Sequence, residues 1–271
     1  MRSTTPFLQP APWLGATVEI ETRWIAPERA VDVAHPPIVY LHEGLGSLAQ
    51  WRDFPQRLCD AAGCRGLAFS RPGYGRSTPR TAAWPRDYLQ EQARALAGYF
   101  DSLELGSERL FLFGHSDGAS LALLFAAYFP ERVCGVAALA PHLFIEDITI
   151  ENLRRAKESY EEGSLRRGLA RYHADTESAF YGWNDAWLNP GFRQWNIEAD
   201  LRTLSAPVLA LQGVDDEYAT LAQIEAIARI HADTELCALD ACGHSPQRDR
   251  PDDVIARTLT LLARCGSPSA R

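Results

Sequence analysis

The chain predicts an α/β fold: a mostly parallel central sheet flanked by helices, with a helical insertion late in the order. Three observations carry this. Short apolar runs alternate with longer amphipathic ones across most of the 271 residues. Several short runs are apolar without a break, as in Pro37-Ile38-Val39-Tyr40-Leu41, the pattern of strands covered on both faces. One such run, Arg109 to Phe113, passes into a helix-like run, Ala119 to Phe129, through Gly114-His115-Ser116-Asp117-Gly118.

Taken in order, Thr17 to Ile25 alternates apolar and polar residues and reads as an early edge strand. The run ending at Leu41 is the first buried strand. Leu48 to Ala62 is amphipathic, and Pro55 should kink or restart it because proline lacks the N–H a helix interior needs. Arg65 to Ser70 is the next strand, and Pro72-Gly73-Tyr74-Gly75 a loop. Asp87 to Leu105 is a long helix with Leu89, Ala93, Leu96, Ala97 and Phe100 as its apolar positions. The glycine-flanked serine turn follows, then the strand Val133 to Leu139.

From about Phe144 to Trp195 the chain is helical and charged, with Gly163, Gly168 and Gly182 as punctuation. Alternation resumes with the strand Pro207 to Leu211, the helix Leu221 to Ile230, the strand Thr234 to Leu239 and a closing helix, Asp252 to Leu262. The expected organisation is a core in two parts, residues 1–143 and 197–271, with a helical cap of residues 144–196 inserted between them. A block of that size buries too little apolar surface to stand alone.

The balance of charge excludes some functions. Net charge is −8 with no basic run, which argues against nucleic acid or an anionic membrane as partner. No run approaches the roughly 18 apolar residues that span a bilayer. Met1 to Thr17 lacks the apolar segment of a signal peptide. We expect a cytoplasmic monomer or homodimer acting on a small-molecule substrate. The six cysteines form no C-x-x-C and no metal spacing with histidine, so reduced structural thiols are expected, with neither metal nor cofactor.

A serine between two glycines at a strand–helix junction is the layout of a nucleophile elbow. The turn forces a strained backbone that only small neighbours permit, lifts the hydroxyl clear and sets the next N–H beside it. Serine is a poor nucleophile at neutral pH; it needs an imidazole to take its proton and a carboxylate to orient that ring. Both should sit after later strands, at the carboxyl edge of the sheet. Gly213-Val214-Asp215-Asp216 supplies two acid candidates after one strand, and Gly243-His244 supplies the base after the last.

An attacked carbonyl oxygen gains charge and needs preorganised donors. Asp117 offers its backbone N–H. The loop His42-Glu43-Gly44-Leu45-Gly46 should offer a second, from Gly44 or, failing that, Leu45, because glycine lets the backbone approach without a side chain in the way. His42 reads as a brace for this loop. The Asp117 carboxylate would repel an oxyanion, so it must point away or be paired. Glu43 poses the same problem, and either carboxylate is a candidate contact for a cationic or hydroxylated part of the substrate.

The other histidines have plainer roles. His115 should pack against the cap base or the sheet, and His35, His173 and His231 should be solvated. His142 follows a strand end and can line the pocket. The aromatics between Tyr160 and Trp195 pack the cap onto the core, with Trp183 and Trp187 as candidates for an apolar substrate wall. Arg154-Arg155-Ala156-Lys157-Glu158 and Glu161-Glu162 read as a solvated helix face.

These motifs, together with Arg71-Pro72-Gly73-Tyr74-Gly75-Arg76-Ser77, resemble the α/β-hydrolase family over nearly the whole chain outside the first fifteen residues and the cap. The resemblance implies the order Ser116, Asp216, His244, since the acid in that family sits three residues after the glycine, which favours Asp216 over Asp215. It is closest to the branch of small esterases, carbon–carbon bond hydrolases, lactonases and proline iminopeptidases. Epoxide hydrolases and haloalkane dehalogenases, with Asp as nucleophile, are excluded by Ser116. The chain departs from the family pattern at Glu43, where a glycine is usual, and at Asp117, where Met or Gln is common. The expected activity is cleavage of a small carboxylic ester with an apolar or aromatic group, through an acyl-enzyme. The alternatives are carbon–carbon cleavage of an aromatic ring-fission product, lactone or thioester hydrolysis, and a ligand-binding protein that retains the fold.

Overall fold

The computed structural model describes residues 4–28, 36–80 and 82–265. Its frame is a sheet whose central strands are buried on both faces. Strands β1 (Phe7–Trp13) and β2 (Ala16–Ile25) form a hairpin. They are followed by β3 (Ile38–Leu41), helix α1 (Phe54–Ala62), β4 (Gly66–Phe69), α2 (Tyr88–Ser102), β5 (Leu110–His115), α3 (Asp117–Tyr128) and β6 (Val133–Leu139). Helices α4 (Asp147–Glu161), α5 (Ser164–Leu169) and α6 (Thr176–Leu188) come next. Strand β7 (Val208–Gly213), α7 (Ala222–Ile230), β8 (Thr234–Leu239), α8 (Pro246–Asp249) and α9 (Pro251–Cys265) complete the described chain.

The strands lie in the order β1-β2-β4-β3-β5-β6-β7-β8. From β4 to β8 all neighbours are parallel, and β2 is antiparallel to both of its partners. Alternation within β5 shows how the faces are assigned. Leu110 and Leu112 belong to the apolar layer that also holds residues of α2, α3 and α7, whereas Phe111 and Phe113 belong to the opposite layer with residues of α1 and α9. The fold class read from sequence is therefore the observed one: a mostly parallel sheet with helices on both faces.

Two local expectations need correction. The Thr17–Ile25 segment is a strand but not the edge, because β1 pairs outside it. Pro10 and Pro12 hid β1 in the sequence; lacking an N–H, prolines are tolerated on an edge strand. Of the three punctuating glycines only Gly163, at φ +92° between α4 and α5, breaks a helix. Gly168 and Gly182 lie inside α5 and α6. Pro55 acts as expected: a 3₁₀ turn over Leu48–Trp51 ends, and α1 restarts with the proline in its first turn. The charged face of α4 is also as read, with Leu153, Ala156 and Tyr160 turned inward.

The junction between β5 and α3 positions the site. Gly114 and Gly118 are required there by contact: a Cβ on Gly114 would strike the Gly118 carbonyl, and one on Gly118 would strike that of Leu41. Helix α3 thus rests directly on the end of β3. Gly118→Ala is expected to force this crossing apart and lower stability by about 3 kcal/mol, read as a fall in Tm by calorimetry. An unchanged Tm would contradict the packing described.

Candidate active site

Ser116 sits at the tip of that junction with φ 53° and ψ −120°, a region L-residues rarely enter. Its neighbours hold it there. The Ser116 N–H donates to the Leu139 carbonyl at 2.8 Å, and the Ser116 carbonyl accepts from the N–H groups of Ala119 and Ser120 at 2.8 and 3.1 Å. The hydroxyl is thereby aimed at the loop after β8. His244 Nε2 lies 2.9 Å from Ser116 Oγ, and His244 Nδ1 lies 2.9 and 3.0 Å from the two oxygens of Asp216. Three side chains distant in sequence thus form one hydrogen-bonded row.

The carboxylate of Asp216 is buried and fully engaged. It accepts from the N–H groups of Tyr218 and Ala219 at 2.8 and 3.3 Å and from Gln212 Nε2 at 3.1 Å. Burial opposes its charged form, but the His244 hydrogen bond and charge outweigh this and hold its pKa below the usual carboxylate value. For His244 burial again opposes charge, and the Asp216 bond and carboxylate overcome it, raising the imidazole above its ordinary value. Asp215 is exposed, so of the two adjacent acids only Asp216 reaches the ring.

Above Ser116 lies a cavity of about 280 Å³ lined by, among others, Gly44, Asp117, His142, Trp183, Trp187 and Arg248. Leu153, Leu165 and Leu169 add an apolar wall, and Glu43, Glu217 and Tyr218 a polar one. Trp183 lies so close to Gly44 that any Cβ there would collide with its indole. Trp187 packs on Phe192 and Trp195, with ring centroids 5.2 and 5.9 Å away, while also facing the cavity. His142 packs edge-on against Trp187 at 5.0 Å. Burial and the nearby His244 push its pKa down to about 3, so it is neutral.

The Asp117 carboxylate, a threat to any oxyanion, is turned away from that role. It accepts from Tyr88 Oη at 3.0 Å and lies 3.5 Å from the Arg71 guanidinium, all three side chains being buried. Burial pushes its pKa up, and Arg71 and Tyr88 resist that rise. As the first residue of α3, Asp117 keeps a backbone N–H without an intrahelical acceptor beside Ser116. Glu43 is folded back over Gly46, with Oε2 3.4 Å from His115 Nδ1 and Oε1 3.8 Å from Arg248. Burial alone would raise its pKa, but His115, Arg248 and His42 hold it well below the ordinary value.

Three histidines depart from expectation. His115 does not face the helical block; its Nε2–H donates to the His244 carbonyl at 2.6 Å and its Nδ1 lies 3.1 Å from Gln247. It braces the loop that carries His244. His173 is buried rather than solvated. Its Nδ1 accepts from the Gly75 N–H and its Nε2–H donates to the Leu45 carbonyl, both at 3.0 Å. His231 is half-buried, 3.0 Å from the Ala206 carbonyl, and His35 lies outside the described residues. Arg71, Tyr88 and His173 were missed as site residues. Arg71 stood in a motif that reads as a glycine loop, and nothing local marks Tyr88 as a partner of Asp117.

Residues 38–258 match the model of the Alpha/beta hydrolase family. A 2-hydroxy-6-oxo-6-phenylhexa-2,4-dienoate hydrolase of Comamonas testosteroni is 26% identical over 255 residues, 83% of this chain and 87% of that protein. A 2-hydroxy-6-oxononadienedioate/2-hydroxy-6-oxononatrienedioate hydrolase of Cupriavidus pinatubonensis is 27% identical over 240 residues, 78% of this chain and 81% of that one. Among solved structures, the proline iminopeptidase of Mycobacterium smegmatis superposes with a TM-score of 0.77 at 18% identity, covering 97% of this chain and 99% of its own.

The depressed Glu43 pKa sets a pH dependence. A carboxyl ionised more readily folded than unfolded stabilises the fold above its unfolded value, near 4.5, and loses that contribution as pH falls below it. Glu43→Gln should therefore show a shallower loss of stability between pH 7 and pH 3, measured by urea unfolding. An acid limb as steep as wild type would show that Glu43 is not held ionised by its neighbours.

Proposed function

The chain belongs to the alpha/beta hydrolase family, and from that premise we propose a serine hydrolase that cleaves a carbon–carbon bond next to a carbonyl in a ring-fission-type dienoate. The observation that carries the mechanism is the Ser116–His244–Asp216 row. The substrate class is supported by the names of relatives that align over about four-fifths of the chain. This moves the reading from the ester first expected to its carbon–carbon alternative.

In the proposed reaction His244 takes the Ser116 proton as Oγ attacks the C6 carbonyl, and Asp216 orients and stabilises the imidazolium. The Gly44 and Asp117 amides meet the oxyanion. When C6 re-forms its carbonyl, the C5–C6 bond breaks. With the substrate in its 2-keto form, the electron pair delocalises through the enone onto the C2 oxygen, and His244 returns a proton to the leaving fragment. Water, deprotonated by His244, then releases the acyl group from Ser116. Residues 144–196 act as a cap, supplying Trp183, Trp187 and the leucine wall that exclude water from the acyl-enzyme.

Charge refines the substrate. Arg248 is the one arginine or lysine among the described residues lining the cavity, against Glu43, Asp117 and Glu217. One substrate carboxylate has a counter-ion; a second would face leucines and tryptophans. An uncharged, apolar 6-acyl group fits best. The acidic balance of the same lining favours, as a second reading, a small uncharged ester with an apolar acyl group, cleaved by the same groups.

A fluorophosphonate probe should label wild type at Ser116, and Ser116→Ala should abolish both labelling and turnover. On a substrate panel, a 6-phenyl dienoate should be cleaved with kcat/KM at least about tenfold above a nonadienedioate, the scale of one unpaired charge at a partly screened site. Preference for p-nitrophenyl butyrate over both dienoates would move the assignment to the ester reading. Turnover surviving Ser116→Ala would refute both.

The raised His244 pKa fixes a sign. The base form is lost as pH falls through that value, so kcat/KM should fall on the acid side. Asp216→Asn removes the partner that raises it, so the acid limb should shift to lower pH while the plateau drops about 10³–10⁴-fold. A pH–rate profile checks this; an unmoved limb would contradict the pairing.

A further inference from the structure

We propose that Arg71 is a positioning residue for oxyanion stabilisation, fixing and polarising the Glu43–Gly44 peptide so that the Gly44 N–H is presented to the reacting carbonyl. The proposal rests on the serine-hydrolase reading above. It starts from a convergence on one backbone carbonyl. The Glu43 oxygen accepts from Arg71 Nη2 at 3.0 Å, from His42 Nδ1 at 2.8 Å and from the Gly46 N–H at 3.0 Å. The His42 proton belongs on Nδ1 because its Nε2 accepts the Arg71 backbone N–H at 2.9 Å.

A trans peptide is planar, so its N–H points opposite to its carbonyl. With the Glu43 carbonyl pulled down into this three-donor cluster, the Gly44 N–H is turned the other way, and Gly44 lines the cavity with Ser116. Donors on the carbonyl also draw electron density from the amide nitrogen. That strengthens the N–H as a donor, and a cationic donor does so most. The arginine therefore acts on the oxyanion through a peptide, without touching substrate.

The guanidinium is held for this work. Arg71 is 0% exposed. Its Nη1 donates to Gln92 Oε1 at 3.1 Å, its plane lies over the Tyr74 ring at 4.8 Å, and Asp117 supplies the counter-charge. The unusual carboxylate after Ser116 thus has an assignment: it makes a buried cation tolerable one step behind the oxyanion donors. From Asp117 the chain of bonds runs on through Tyr88 to Trp187, whose Nε1–H donates to Tyr88 Oη at 2.8 Å.

The test compares wild type, Arg71→Lys and His42→Gln on p-nitrophenyl acetate, with an alkyl trifluoromethyl ketone as the probe of oxyanion binding. Lysine keeps the charge but loses the fork that reaches Gln92 and the Glu43 carbonyl together. The expected result is a kcat about 10–100-fold lower with KM within threefold, below the 10²–10³ of deleting an oxyanion donor outright. Ketone affinity should fall by the same factor as kcat/KM, and the acid limb of the pH profile should stay in place. A folded Arg71→Lys enzyme with kcat and ketone affinity within twofold of wild type overturns the proposal. So does a loss accompanied by a shifted acid limb, which would place the effect on His244.

Should Arg71→Lys fail to fold, His42→Gln, which removes another donor to the same carbonyl, decides the matter. It should show the same signature at smaller size, and unchanged ketone affinity would overturn the proposal. Fluorophosphonate labelling of wild type separates the two levels. A labelled wild type with indifferent variants refutes the role of Arg71 alone, whereas an unlabelled wild type whose turnover survives Ser116→Ala refutes the hydrolase reading beneath it.

Discussion

The positive φ at Ser116 is the constraint on which the site depends. A serine held in that region costs about 1–3 kcal/mol and persists only where its surroundings over-determine it. Here they do. Three backbone hydrogen bonds tie the residue to β6 and α3, and glycines at 114 and 118 let the helix start against the ends of β5 and β3. Releasing the strain would swing Oγ away from His244 and turn the Asp117 N–H out of the site. Geometry at one backbone position thus sets both the proposed nucleophile and one of its proposed oxyanion donors.

Around that turn the molecule solves an electrostatic problem of its own making. A carboxylate directly after the proposed nucleophile is a poor neighbour for an oxyanion. Its pairing with Arg71 and Tyr88 occupies that carboxylate and gives a buried cation a partner. Breaking such a pair from one side leaves a naked charge in low dielectric, a loss of about 3–5 kcal/mol. With Tyr88 and the Glu43 carbonyl, the pair also ties together five parts of the chain: the loop after β3, the loop after β4, the start of α2, the elbow, and Trp187 of α6. His173 adds a second tie, joining the segment after α5 to Leu45 and Gly75.

Much of this was legible in the sequence, for identifiable reasons. Uninterrupted apolar runs betrayed β3, β5, β6 and β7, because strands buried on both faces need apolar side chains at every position. The glycines around Ser116 and the Gly-His after β8 were legible because tight turns leave a compositional mark. What stayed hidden was non-local. Tyr88 meets Asp117 across 29 residues and His115 meets the His244 carbonyl across 129, and no local pattern encodes such a contact. His173 looked solvated for the same reason: its burial depends on a helical block folding back over loops set by the sheet. The edge strand β1 was obscured by its prolines, which weaken a strand signal although an edge tolerates them.

The measurement that bears most directly on this account is a crystal structure of the protein with a trifluoromethyl ketone added. The account predicts a hemiketal joined to Ser116 Oγ, its oxygen within hydrogen-bonding distance of the Gly44 and Asp117 amide nitrogens, and the Arg71 guanidinium still on the Glu43 carbonyl. A ketone bound without a bond to Ser116, or an adduct whose oxygen points away from those two amides, would contradict it.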